Sequence, residues 1–153
     1  MARIGGRPPS FPTMSTEILG STPEQVVPVN PSGWSRSPDF DQGQLRTGSR
    51  LLTVAAQGPL DESGQLMHDG DPAAQLALAL ANVARVLTDA GMDWADVAQL
   101  RVHTTDLDGL LGVYDTLVDH LGTVGARPPT TLVEVSRLPV PGMTVCIDGL
   151  ALR

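Results

Sequence analysis

The chain has 153 residues, of which 41% are apolar and 18% charged, with a formal charge of −7. That is a globular composition, about one domain in length and long enough to bury a core without disulfides or a structural metal. The acidic balance and the absence of a Lys/Arg run weigh against RNA cleavage or any other phosphate-binding role, so a nucleic-acid partner is not expected.

Residues 1–27 are rich in Pro, Ser, Thr and Gly and read as an N-terminal extension, with one short strand around "EQVVPV" at its end. Residues 28–153 read as a single domain. The first dozen residues lack an apolar signal region, and no run reaches the roughly 18 apolar residues needed to span a bilayer. With one cysteine, Cys146, no intramolecular disulfide is possible, and the expected setting is the reducing cytoplasm. His68, His103 and His120 share no metal-binding spacing, so a metal site is not expected.

The run "GQLRTGSRLLTVAAQG" reads as a hairpin turning at Thr47-Gly48-Ser49, and "PLDESGQLMHDGD" as a surface loop. A helix follows. Asp71 suits its N-cap, Pro72 its first position and Gly91 its stop, while Leu76, Leu80, Val83 and Leu87 form one stripe. In "VAQLRVHTTD", Leu100 and Val102 alternate with Arg101 and His103, giving a strand with one buried face. Asp106 caps a second helix, with Leu107, Leu110, Leu111, Tyr114, Leu117, Val118 and Leu121 inward and Gly122 as its end. "TTLVEVSRLPVPGMTVCIDGLALR" closes the domain as a second hairpin around a Pro/Gly turn.

These elements predict a two-layer α+β domain, a mixed sheet with two helices on one face. The strands carry apolar residues of both parities, so the second face needs a partner, and a homo-oligomer is expected.

Four stretches resemble the Rid (YjgF/UK114) family in the right order: "NPSGWSRS", "GSRLLTVAAQGPLD", "DPAAQLALALANVARVLTDAGMDWADVAQLRVHTTDL" and "RPPTTLVEVSRLPVPGMTVCIDGLA". The resemblance implies a chorismate-mutase-like fold and a homotrimer with clefts between subunits. It also implies cofactor-free chemistry on a small-molecule substrate, best known as hydrolysis of reactive imines and enamines such as 2-aminoacrylate. Deaminating members carry R-P-A-R-[S/T], whose second arginine grips the substrate carboxylate; here Arg127-Pro128-Pro129-Thr130-Thr131 puts Thr130 there. Their catalytic glutamate, in a pattern like [V/I]-E-I-E, is replaced by Cys146 in Val145-Cys146-Ile147-Asp148.

The ordinary 2-aminoacrylate deaminase is therefore not the expected activity. The expectation is an enzyme for an imine, enamine or related unsaturated carbonyl compound, larger and less dependent on a carboxylate. Its catalytic residues would be Cys146, as reactive thiol, and Thr130, as polarising donor. Arg127, Thr131 and Trp34 would bind substrate. Each residue also has a plainer reading: a thiol as apolar filler, an arginine bonding carbonyls, threonines bonding their own backbone, a tryptophan packing a strand edge. Glu134 and Asp148 are further acids that could carry a proton, and His103 reads first as a solvated or interface residue. The rival from another class is a non-catalytic metabolite-binding trimer.

Overall fold

The computed structural model describes residues 25–32 and 39–153. In chain order the elements are β1 (Gln25–Val29), β2 (Gly43–Thr47), β3 (Leu51–Gln57), α1 (Pro72–Asp89), a 3-10 turn (Trp94–Asp96), β4 (Val97–Thr104), α2 (Leu107–Gly112), α3 (Asp115–Thr123), β5 (Thr130–Glu134) and β6 (Val145–Leu152). Strands β3, β6, β4 and β5 lie side by side in that order, with β4 parallel to β5 and antiparallel to β6. The helices pack on one face of this sheet, which gives the expected α+β architecture.

The best helix of the sequence forms as its signals dictate. The Asp71 carboxylate accepts a hydrogen bond from Ala74 N at 3.0 Å, and Gly91 turns the chain at φ +69°. The Arg50 and Arg153 guanidiniums donate to the carbonyls of Ala90 and Gly91 at 2.8 and 2.7 Å, placing positive charge at the negative end of the helix. Leu76, Leu80, Val83 and Leu87 are all buried, against Leu100 and Val102 of β4, Val145, Ile147 and Ala151 of β6 and Leu117 and Leu121 of α3. Each such side chain contributes about 1.5–3 kcal/mol on burial.

Three expectations need correction. The 43–57 run is not a hairpin: β2 pairs with β1 in a separate two-stranded sheet, and β3 pairs with β6. Arg46 pulls β2 away by donating to the carbonyls of Ala95 and Val97, while Ser49 N and Arg50 N bond the Arg153 carbonyl. The C-terminal run is not a hairpin either, because β4 lies between β5 and β6. Residues 135–144 pass around the end of β4, with Val135 N donating to the Thr104 carbonyl at 2.8 Å and Thr105 N to the Thr144 carbonyl at 3.1 Å. Finally, the second helix is broken into α2 and α3 at Val113–Tyr114. It runs past Gly122 to Thr123, and the left-handed turn falls at Gly125 (φ +67°).

No helix among the described residues is long and apolar enough to cross a membrane.

Candidate functional site on the open face of the sheet

Alternation assigns each strand residue to the helix-packed face or the open one. On β6, Val145, Ile147 and Ala151 join the core, so Cys146, Asp148 and Leu150 take the open face. On β4, Leu100 and Val102 join the core, which leaves Arg101 and His103 on the open face. The β4–β6 register sets Arg101 opposite Asp148 and His103 opposite Cys146. The β4–β5 register sets Thr131 beside Arg101.

Asp148 is the centre of this group. Its Oδ1 accepts from Arg101 Nε at 2.7 Å and its Oδ2 lies 2.6 Å from His103 Nε2. Only 14% of its side chain is exposed. A carboxylate bonded to imidazole fixes the ring's orientation, as general acid–base chemistry requires.

Cys146 sits next to this pair, 6% exposed within the single chain. Burial raises its thiol pKa above the ordinary 9.0, and the nearby Asp148 charge raises it further. The thiol is therefore protonated at neutral pH. This has a sign that can be checked. Because the unfolded chain ionises its thiol first, stability from this group is complete below pH 9.0 and declines as pH rises through the folded pKa. Unfolding by urea at pH 7 to 10.5 is expected to show a steeper alkaline loss in the wild type than in Cys146→Ser. Iodoacetamide labelling of native protein should accelerate only above pH 9.0. Parallel alkaline profiles would contradict the assignment.

What holds the start of β6 in place is Gln75 on α1, which is 0% exposed. Its amide donates to the His68 and Gly142 carbonyls, and its oxygen accepts from the backbone N and the hydroxyl of Thr144. Two residues later comes Cys146.

The structure brings Cys146 and Thr131 to the open face and places Thr130 and Arg127 elsewhere. Thr130 is opposite Leu100 and so has the helix-side parity, and its hydroxyl donates to the Pro128 carbonyl at 2.8 Å. Arg127 is in the loop before β5. Its carbonyl accepts from Asp41 N and Gln44 Nε2, and its Nε lies 3.7 Å from Asp41 Oδ1. It lines a recess of about 230 Å³ with Asp39, Val118 and Leu121. Although burial raises the Asp41 pKa, hydrogen bonds from Gln44 and Asn30 and the Arg127 charge outweigh it and hold that carboxyl below its usual value. Glu134 accepts from Leu107 N at 2.9 Å, at the start of α2. Trp34 lies outside the described residues. Sequence reasoning passed over Arg101 and gave His103 a lesser role; the available signal was that both sit on the polar parity of an otherwise core strand.

An α+β layer pair with all the described helices on one face of the sheet is the architecture of the chorismate-mutase-like proteins. The sequence model of the family described as Endoribonuclease L-PSP matches residues 40–153, and the chain belongs to this family, the Rid or YjgF/YER057c/UK114 proteins. Among solved structures, the Rid-family protein YyfB of Yersinia pestis superposes with a TM-score of 0.77 at 24% identity, over 84% of this chain and 98% of that one. TdcF of E. coli, solved with bound serine, gives 0.62 at 26% identity over 78% and 91%. Rv2704 of Mycobacterium tuberculosis gives 0.58 at 29% identity over 84% and 100%. No curated protein matches the chain.

Proposed function

We propose that the chain is an enzyme acting on an imine, enamine or related unsaturated carbonyl compound, at a site on the open sheet face that neighbouring copies enclose in a homotrimer. The observation that carries this reading is the convergence of Cys146, His103 and Asp148 at adjoining register positions on a face that no helix among the described residues covers. Leu51, 65% exposed on the same face, gives a second copy apolar surface to bury. The serine held by TdcF supports a small-molecule ligand for a protein of this fold.

In hydrolysis, His103 takes a proton from water as the oxygen adds to the C=N carbon. It passes that proton to nitrogen, giving a carbinolamine; the proton of the added hydroxyl then follows the same route to nitrogen as the C–N bond breaks, releasing ammonia and leaving the carbonyl product. Asp148 orients the ring and stabilises its charged form. Cys146 presents an S–H to the same reacting carbon. With His103 accepting its proton it can add covalently, a route that also serves isomerisation or condensation. Thr131 is the hydroxyl donor of this site, since the Thr130 hydroxyl is engaged with Pro128. Arg127 ties the 39–44 segment to the loop before β5 and orients whatever enters from that edge.

The raised thiol pKa favours a second reading, a metabolite-binding trimer without turnover. One experiment separates the two: ammonia and carbonyl release from imines generated in situ, with wild type, His103→Gln and Cys146→Ser. Turnover that falls about 10²–10⁴-fold in His103→Gln supports acid–base catalysis. A further fall in Cys146→Ser assigns the thiol a chemical role. No acceleration by wild type, with ligand binding seen by calorimetry, supports the binding protein. Equal rates in all three would remove the proposed site.

A further inference from the structure

We propose that the outer edge of β3 and the groove beside it form a docking site for an extended peptide of basic character, which adds to the sheet as a further strand. The site is separate from the chemistry of the open face. Its groove lies on the helix side of the sheet, opposite the face that neighbouring copies are proposed to enclose.

The backbone of β3 supplies the first observation. The strand ends the four-stranded sheet, and no described strand pairs with its outer side. Arg50 and Arg153 exchange both backbone hydrogen bonds, at 2.7 and 3.0 Å. Such pairs recur at every second residue of an antiparallel ladder, so Leu52 and Val54 bond towards Ala151 and Gly149. The N–H and C=O groups of Leu51 and Thr53 then point outward, with the N–H of Ala55. The Ala55 carbonyl is already covered, since Gln57 Nε2 donates to it at 3.0 Å. The other outer strand, β5, is guarded: it has five residues, is entered through Pro128-Pro129 and ends on Glu134. The seven residues of β3, LLTVAAQ, hold no charge and no proline, and the register shift falls only at their end, between Val54 and Gln57. An edge of this kind is a template for an added strand.

The groove selects the partner. β3 begins beside the end of α1, where Arg50 donates to the Ala90 carbonyl, and is followed by Gly58, whose carbonyl accepts from Asn82. Along that stretch lies a recess of about 500 Å³, with Val86 as its apolar floor. Arg85 and Glu62 in its wall cancel as an ion pair at 2.7 Å. Asp61 and Asp89 leave it negative. Hydrogen bonds from Ser63 and Gln65 hold the Asp61 carboxyl below its usual range and so keep it charged. The whole chain carries −7, so a second copy is repelled from this recess where a basic segment is attracted. An added strand turns alternate side chains to the helix side. The segment that fits therefore offers an apolar residue to Val86 and a lysine or arginine two positions to either side, for Asp61 and Asp89.

The test titrates the full chain with acetyl-Thr-Lys-Thr-Val-Thr-Lys-Thr-amide and follows backbone amide shifts. The peptide should move the amides of Leu51, Thr53 and Ala55. A version with glutamates for the lysines should bind at least about tenfold more weakly, because two attractions become repulsions. Of two versions N-methylated at alternate residues, one should lose binding and the other keep it, since only every second N–H of an added strand faces β3. Thr53→Pro removes an outward N–H at a place where an edge strand tolerates proline, and should weaken binding about tenfold. Asp89→Lys tests the groove without touching the sheet, and should shift the preference towards the glutamate peptide. Equal affinity for the lysine and glutamate peptides, equal binding of the two methylated ones, or shifts that leave residues 51–55 unmoved would each overturn the site. So would light scattering that finds, without peptide, a larger species in wild type than in Thr53→Pro, which would assign the edge to a second copy.

Discussion

Gln75→Leu is expected to lower the unfolding free energy by about 2–4 kcal/mol, since a polar group left without a partner away from water costs about 1–3 kcal/mol and three lose theirs. The bonds run to the His68 and Gly142 carbonyls, at 3.1 and 2.9 Å from the amide nitrogen, and from the Thr144 N–H and hydroxyl, at 2.9 and 3.0 Å from the amide oxygen; the His68 carbonyl alone keeps another donor, Asp71 N. A leucine fills nearly the same volume, so the loss measures hydrogen bonding and not a cavity. The neighbourhood cannot easily relax. His68 already adopts φ +58°, and a side chain at Gly142 (φ +83°) would run into Asp69 and Leu66. Gln75→Glu keeps the two accepted bonds but sets a carboxylate against two carbonyls, and is expected to be no better than leucine. Urea midpoints check both. If Gln75→Leu shifts the midpoint by less than the equivalent of about 1 kcal/mol, the four bonds are replaced by water and the hub is not one.

Gln75 also shows where sequence reading reached its limit. The amphipathic stripe and caps of α1 are local, with every signal lying within a few residues of its effect, and they are found where expected. Gln75 stands beside that stripe and is not singled out in the sequence, since adjacency to Leu76 places it about 100° round the helix. What it bonds, a carbonyl seven residues back and a turn 67 residues on, is not written in any window. The two false hairpins have the same origin. Alternation fixes which face a side chain takes but says nothing of which strand lies alongside, and β4 entered between two runs adjacent in sequence. In the second helix, a continuous apolar pattern hid a break, although Gly109 and Gly112 already lowered its helical preference.

The site was half legible for the same reason. The placement of Cys146 and Asp148 away from Val145 and Ile147 follows from period two and holds in the structure. Which threonine shares that face does not follow. The choice between Thr130 and Thr131 depends on Leu100 and Arg101 being their partners on β4. Nor could the His103–Asp148 contact be read, because neither residue has a local feature that separates it from an ordinary solvated strand face. It arises only when β4 and β6 pair.

That pairing underlies the second large effect. Gly149→Ala is expected to cost about 3 kcal/mol, at the upper end of the range for overpacking, since a Cβ there would meet the carbonyl oxygen of Gln99 and an atom of the main chain cannot rotate aside. The contact falls beside the irregularity between Val97 and Gln99, where the β4–β6 register shifts. Gly122→Ala is the control. Its Cβ would meet nothing within 4 Å, its backbone is helical, and it should stabilise by about 0.5–1 kcal/mol. Thermal unfolding of the pair should therefore move in opposite directions. The glycine matters to function as well as to stability, because it adjoins Asp148. Separating β6 from β4 at Gly149 would lengthen the 2.7 Å bond between Arg101 and Asp148 and loosen the carboxylate that orients His103. In Gly149→Ala the proposed imine turnover should accordingly weaken in protein that remains folded, with faster amide exchange confined to β4 and β6. A variant that unfolds with wild-type stability would show that the strands have room to spare, and that the close approach is not what sets the geometry of the face.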